Sequence, residues 1–206
     1  MVFNLLLPDF ISRKIILTLS KPEDKIDEIL SFIKKEINKK NQVFWVCPLI
    51  KESKILDYSA AVKKFESLSK IFSKKVGLIH GGLSPEEKND VLSKFLKRSI
   101  DILVTTTVIE VGVDFPNANV IIIENSNKFG LSQLHQLRGR VGRGKTQGTC
   151  ILLYKKNLSE NARKRIKILK SSNDGFYIAE EDMKIRGFGD VLGYQQSGIK
   201  NFKLAD

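Results

Sequence analysis

Gln133-Leu-His-Gln-Leu-Arg138-Gly-Arg140-Val-Gly-Arg143-Gly-Lys145-Thr146 interleaves three arginines with three glycines. Arginine keeps its charge at any working pH and offers a planar fork of donors suited to phosphate oxygens, while glycine lets backbone N–H groups approach the same anion. Two readings follow, and they imply opposite local folds. Gly139 to Thr146 matches G-x-x-x-x-G-K-T, a phosphate loop in which Lys145 reaches phosphates and Thr146 holds magnesium; such a loop follows a strand and opens a helix. Here the order is reversed. Leu131 to Arg138 upstream has helical character, and Gly148-Thr-Cys-Ile-Leu-Leu-Tyr154 downstream is an apolar, strand-like run. The second reading therefore prevails: an arginine-finger segment whose guanidinium groups reach a nucleotide held mainly by another domain.

Outward from this segment, strand and helix signals alternate. Lys14-Ile-Ile-Leu-Thr-Leu19, Val43-Phe-Trp-Val-Cys-Pro48, Val76-Gly-Leu-Ile-His80, Asp101-Ile-Leu-Val-Thr105, Asn119-Val-Ile-Ile-Ile-Glu124 and Cys150 to Tyr154 are short apolar runs of the kind buried on both faces of a parallel sheet. Ser20 and Pro22 predict a helix opening with proline in its first turn, followed by Ile26, Ile29, Leu30, Ile33 and Ile37 at helical spacing. A second helix is expected to run through Ile71. Ser84, Pro85 and Glu87 form a capping-box start to a third, which should carry Val91, Leu92, Phe95 and Leu96 inward. The alternation predicts an α/β fold, a doubly wound parallel sheet. Ligands of such sheets gather at the carboxyl ends of strands. The candidate loops 48–53, 80–83 and 105–114 all follow strands, which predicts one functional edge. Beyond Leu158, Arg163, Lys164, Arg165, Lys167 and Lys170 crowd a helix whose apolar positions are Ala162, Ile166 and Leu169. Phe176 to Arg186 forms another, and the two are expected to pair as a hairpin. The glycine-rich stretch 187–198 then reads as a functional loop.

The motifs resemble a known family. Gln136-Leu-Arg-Gly-Arg140-Val-Gly-Arg143 resembles the Q-x-x-G-R-x-G-R motif that closes the second, RecA-like lobe of superfamily-two helicases. The wider Gly130 to Arg143 is similar to its RecG and transcription-repair coupling factor branch. That resemblance implies that Arg140 and Arg143 meet the γ-phosphate of ATP and that Gln136 joins the nucleotide site. Thr105-Thr-Thr-Val-Ile-Glu110-Val-Gly112-Val-Asp114 resembles the family's motif V, implying a DNA-phosphate contact at Thr106, close approach at Gly112 and a ribose contact at Asp114. His80 with Gly81 resembles motif IVa, near the DNA backbone; taken alone, His80 and His135 read as structural histidines. Ser172-Asn-Asp-Gly-Phe176, Lys184-Ile-Arg186-Gly-Phe-Gly and Leu192-Gly-Tyr-Gln-Gln196-Ser-Gly198 resemble the translocation motif of RecG and the coupling factor, and Ser-Asn-Asp-Gly-Phe favours RecG. Arg165, Arg186 and Gln196 are the matching switch residues. Two positions depart from RecG-like sequences, which usually carry proline at Phe188 and arginine at Gln195.

The resemblance implies three parts: residues 1–12 as a linker from a first lobe, 13–156 as the RecA-like second lobe, and 157–206 as the helical hairpin and loop. Neither a true phosphate loop, nor a magnesium-binding acidic box, nor a wedge domain is visible in the sequence. ATP and Mg2+ would then be held mainly by a first lobe, and this chain alone should hydrolyse nothing. The implied enzyme is an ATP-dependent helicase or translocase acting on stalled forks and Holliday junctions in DNA repair and recombination. Its partners would be branched DNA and the first lobe and wedge domain, with a monomer expected. The alternatives are a non-catalytic DNA-binding or docking remnant of a split gene, the coupling factor translocase, and a phosphate-loop NTPase using Lys145 and Thr146.

Composition agrees with such a partner. The chain has 206 residues, 42% hydrophobic and 28% charged, with a net charge of +12; this is a globular composition whose basic surface favours a polyanion. Cys47 and Cys150 lack a nearby cysteine or histidine at zinc spacing and read as small core residues. No run reaches membrane-spanning length, and two cysteines without a secretory leader predict a cytoplasmic protein.

Overall fold

The computed structural model describes residues 15–48, 54–106, 115–144 and 146–186. Strands β1 (Leu17–Pro22), β2 (Gln42–Val46), β3 (Val76–Ile79), β4 (Ile102–Thr105), β5 (Ala118–Ile123) and β6 (Thr149–Tyr154) form one sheet in the order β1-β6-β5-β2-β4-β3. All five pairings are parallel. Helices α1 (Ile26–Asn38), α2 (Lys54–Phe72), α3 (Pro85–Leu96), α4 (Leu131–Arg138), α5 (Glu160–Ser171) and α6 (Gly175–Arg186) cover its faces.

The strands lack polar alternation because both sides are buried. On one face Phe44, Leu103, Ile121, Ile123 and Leu152 pack with Phe95 of α3, Leu134 of α4, Ile166 and Leu169 of α5 and Ile178 of α6. On the other, Val43, Trp45, Ile102, Val104, Ile122 and Leu153 pack with Ile29 and Ile33 of α1 and Ala61 and Leu68 of α2. Successive side chains point to opposite faces, so each strand feeds two cores. The rings of Phe44, Phe95 and Phe115 meet at centroid distances of 5.2 to 5.5 Å, within the range favoured for aromatic pairs.

Three local expectations are refined. β1 runs on through Pro22, which pairs in register with Tyr154, and α1 starts only at Ile26 after a short 3-10 turn at Glu23–Lys25. Proline is tolerated there because β1 is an edge strand and Pro22 its last residue. Leu96 is 45% exposed rather than inward; it closes α3, where Phe95 alone of the helix is buried. The capping box is present, with Ser84 Oγ accepting from Glu87 N–H at 3.2 Å and Glu87 Oε2 from Ser84 N–H at 2.8 Å. Among the described residues no helix is long and apolar enough to cross a membrane. Cys47 and Cys150 are buried free thiols; burial raises the pKa of both, that of Cys150 to about 12, so both behave as the small core residues expected.

Candidate functional site

Helix α4 leaves the carboxyl end of β5 and runs back along the sheet, so the arginine segment emerges at the amino ends of the strands. Gly142 N–H donates to Ala118 O, the first residue of β5, at 3.3 Å. Thr146 Oγ1 accepts from Asn119 Nδ2 at 3.2 Å, and the same Asn119 amide donates to Asn41 Oδ1 at 2.8 Å. Leu17 N–H then meets Gly148 O at 2.9 Å as the chain enters β6. The order is helix, turn, strand, so Gly139 to Thr146 is not a phosphate loop; the hydroxyl of Thr146 anchors the turn to β5, and Lys145 lies outside the described residues.

The glycines shape this turn. Gly142 has φ +73°, a left-handed conformation, and a Cβ there would press on the backbone of Gly148 at 3.1 Å. A Cβ on Gly144 would overlap the Pro116 carbonyl oxygen. Because that obstacle is backbone, Gly144→Ala is expected to cost about 1–3 kcal/mol through overpacking, read as a lower urea midpoint; an unchanged midpoint would show that the turn shifts freely.

The three arginines divide. Arg138 is 1% exposed. Its Nη1 donates to Leu169 O at 2.6 Å and Ser172 O at 2.8 Å, with Thr18 Oγ1 at 3.4 Å, and its Nη2 to His135 Nδ1 at 3.0 Å. It sits against the carboxyl end of α5, where unpaired carbonyls and the helix dipole favour a cation. Arg138 therefore ties the hairpin to the lobe. The sequence contained the signal, since Leu131, Leu134 and Arg138 fall on one helical stripe and both leucines are fully buried. Arg140 is half-buried, and its Nε is shielded from solvent without an acceptor among the described residues. Arg143 is exposed, with Nε 3.4 Å from Gly139 O. Gln136 is exposed on the last turn of α4. One turn thus presents Gln136, Arg140 and Arg143 at the amino edge.

His135 reports on the latch. Arg138 can only donate, so His135 Nδ1 must accept and the ring must be neutral. Burial first, and the charge of Arg138 second, hold its pKa below the ordinary value of 6.5. A depressed folded value means that the stabilisation is complete above the unfolded value, about 6.5, and is lost as pH falls through the folded one. His80, also lowered mainly by burial, acts in the same sense. The urea midpoint should therefore fall between about pH 7 and 5, and His135→Ala should flatten that slope; an equally steep slope in the variant would place its origin elsewhere.

The remaining candidates lie at the opposite, carboxyl edge. His80 follows β3, and its Nδ1 accepts from Gly82 N–H at 3.1 Å. Gly81 is exposed, with open space where a Cβ would stand. Thr106 follows β4 beside it, its N–H meeting Ile79 O at 3.3 Å, and it is 4% exposed. His80, Gly81 and Thr106 are thus brought together, with Thr106 beneath the surface. The described parts of the three candidate loops follow β2, β3 and β4 at this one edge as expected, while the arginine turn stands at the other, because a helix returning from a carboxyl end delivers its own end to the amino side. Thr106 belongs to one edge and Phe115, bonded through its carbonyl to Ala118 N–H at 3.0 Å, to the other. Gly112 and Asp114 fall between them, outside the described residues.

Arg165 and Arg186 converge on the turn before α4. Arg165 Nη1 donates to Phe129 O at 2.6 Å. Arg186 Nη2 pairs with the buried Asp182 Oδ2 at 2.8 Å, and the same oxygen accepts from Ser132 Oγ. A Cβ on the intervening Gly130 would lie 3.1 Å from Arg186 Nη2. Arg165 therefore bonds the turn directly, while Arg186 lies beside Gly130 and reaches α4 through Asp182. Gln196, Phe188 and Gln195 lie outside the described residues. Among the described residues no group of three histidine, cysteine, aspartate or glutamate side chains could hold a metal ion.

A sheet with an arginine turn at one edge and a hairpin latched behind it is the architecture of a helicase C-terminal lobe. The chain belongs to that family: residues 24–145 match the helicase conserved C-terminal domain. Residues 172–206 match the C-terminal part of domain 3 of the ATP-dependent DNA helicase RecG. The RecG proteins of Pasteurella multocida and Bacillus subtilis are each 47% identical over 94% of this chain. This chain is homologous to their C-terminal portion and spans 28% and 29% of their lengths. The solved structure of RecG bound to a three-way DNA junction matches 93% of the chain and 24% of its own, with 46% identity and a TM-score of 0.74. The C-terminal domain of Dbp5 from S. cerevisiae, bound to Gle1 and IP6, shares the fold at 16% identity, 84% and 97% coverage and a TM-score of 0.56.

Proposed function

We propose that this chain is the second motor lobe, with its translocation hairpin, of a RecG-type ATP-dependent helicase that remodels branched DNA such as stalled forks and Holliday junctions. The observation that carries the reading is the amino-edge turn, where Arg140 keeps a buried Nε–H without an acceptor among the described residues beside the exposed Arg143. A buried donor left unpaired costs free energy unless a ligand satisfies it, and a phosphate oxygen is the acceptor that an arginine fork suits. ATP bound between two lobes would supply the phosphoryl group. Arg140 and Arg143 would neutralise charge around it, Gln136 would orient beside them, and Gly112 and Asp114 would meet the ribose side. Mg2+ and the phosphate loop belong, in this reading, to a first lobe. His80, Gly81 and Thr106 would face DNA at the other edge, so that closure onto ATP at one end of the sheet moves the DNA-facing end. Arg165 and Arg186, with Gln196, would pass the movement to the loop after α6. The boundaries 1–12, 13–156 and 157–206, a monomer and a cytoplasmic setting belong to the same reading.

The test is ATP turnover by this chain with forked DNA, alone and with a purified RecG first lobe. Silence alone and turnover on adding the first lobe are expected. Turnover by the chain alone, abolished by Lys145→Ala, would overturn the reading in favour of a self-contained NTPase. No turnover in either case, with salt-sensitive DNA binding indifferent to ATP, would make the chain a DNA-binding remnant.

A further inference from the structure

Between α5 and the outer edge strand β1, from Ser20 and Tyr154 to Lys170 and Ser171 at the end of the helix, lies an open groove of about 360 Å3. Its lining includes Tyr154, Leu158 and Ile166 below and Arg163, Lys167 and Lys170 along the helix. The three cations stand at i, i+4 and i+7, one helical stripe on which charges recur about every 4.5–6 Å at 1.5 Å rise per residue. All three are exposed. None of them is paired with a carboxylate among the described residues, whereas their neighbour Lys164 is held by Glu160 at 2.7 Å. The adjoining face of the same helix buries Ala162, Ile166 and Leu169, and Ile166 carries the apolar surface from that face to the groove beside the stripe. None of the functional candidates above uses these residues. β1 and β3 are the two margins of the sheet, five strand spacings apart, so the groove borders the margin about 24 Å across the sheet from the one that carries His80.

We infer that this groove is a second nucleic-acid site, specific for single-stranded DNA. The stripe supplies a cationic track for successive phosphates, and the half-buried ring of Tyr154 with its apolar neighbours supplies a floor on which an unpaired base can stack. A duplex satisfies the track but not the floor, because its base faces are already stacked. The occupant is nucleic acid rather than an acidic peptide because the ring beside the cationic track suits a base, in a chain of net charge +12 that belongs to a helicase family. The inference shares with the proposed function only that polyanionic partner; it does not depend on the ATP reading, and Arg143→Ala should leave it untouched.

Binding of the full chain to a fluorescein-labelled oligothymidylate of about 12 nucleotides, within the usual range of single-strand sites, is followed by anisotropy across a salt series. Combined Arg163→Gln, Lys167→Gln and Lys170→Gln should weaken binding more than 10-fold at low salt and reduce the slope of log K against log salt by about 2, from about 0.7 per released counterion. The charge-matched control Lys34→Gln, Lys35→Gln and Lys97→Gln should leave the slope near that of the parent. Tyr154→Leu should cost about 5-fold or more on the oligothymidylate and little on a duplex of equal length, while Tyr154→Phe, which keeps the ring, should bind normally. Circular dichroism identifies any variant that fails to fold, and the Phe variant preserves the test if the Leu variant does. Equal effects of the groove and control triples would overturn the site. Equal losses on single strand and duplex, or loss in Tyr154→Phe, would overturn single-strand specificity; polyglutamate competing as well as DNA of equal charge would overturn nucleic acid as the occupant.

Discussion

Arg143→Ala is expected to lower ATP turnover of the reconstituted two-lobe assembly about 10³-fold or more, the lower end of what an arginine finger contributes to phosphoryl transfer. Arg143 is exposed on the turn and packs in neither hydrophobic cluster, so its removal should leave the urea midpoint of the lobe in place. The loss should appear in kcat, because a charge matched to the transition state contributes little to the ground state. Arg143→Lys should recover only part of it, since an ammonium cannot reproduce the planar fork. Turnover, KM for ATP and the midpoint measured on the same preparations separate the outcomes. A loss below about tenfold would remove Arg143 from the charge-neutralising role.

Arg138→Met should do the reverse, costing about 3 kcal/mol of stability while leaving any residual chemistry to Arg140 and Arg143. Replacing a buried charge by an apolar residue is often neutral when its partners can be replaced as well. Here they cannot be, because the acceptors are the main-chain carbonyls of Leu169 and Ser172, which would be left without this donor at the end of α5, that of Leu169 buried and that of Ser172 half-buried. Methionine refills the volume, so the cost isolates the hydrogen bonds from a cavity. Urea unfolding followed by circular dichroism is the readout. A change below about 1 kcal/mol would mean that water takes over both carbonyls.

The contrast between these two arginines marks the limit of sequence reading. The six strands were legible because runs such as Val43 to Cys47 and Val120 to Ile123 are apolar on both faces, and the third helix because Ser84, Pro85 and Glu87 spell out its cap. Pro22 misled because proline both opens helices and ends edge strands, and only the pairing with Tyr154 decides between them. The edge that carries the arginine turn was not legible for a topological reason: the rule for strand carboxyl ends covers the loop after a strand, whereas the arginine turn follows the helix after that loop. Burial of Arg138 was encoded in the spacing of α4, but charge hides such a stripe from any search for apolar residues. The meeting of Arg165 with Phe129 O and of Arg186 with Ser132 through Asp182 joins residues more than 30 positions apart, beyond any local pattern.

The latch at Arg138 reads α5 only through main-chain oxygens, and a carbonyl is the same atom whatever side chain follows it. At that one contact the lobe is indifferent to the side chains of α5, whereas Arg165, Asp182 and the buried Ile166, Leu169 and Ile178 attach the two helices through their own side chains. A hairpin borrowed from a relative would seat in this lobe provided that its first helix ends at the same height and that it keeps the residues matching Arg165, Asp182 and the buried Ile166, Leu169 and Ile178, so most of its outer surface can vary without disturbing the attachment.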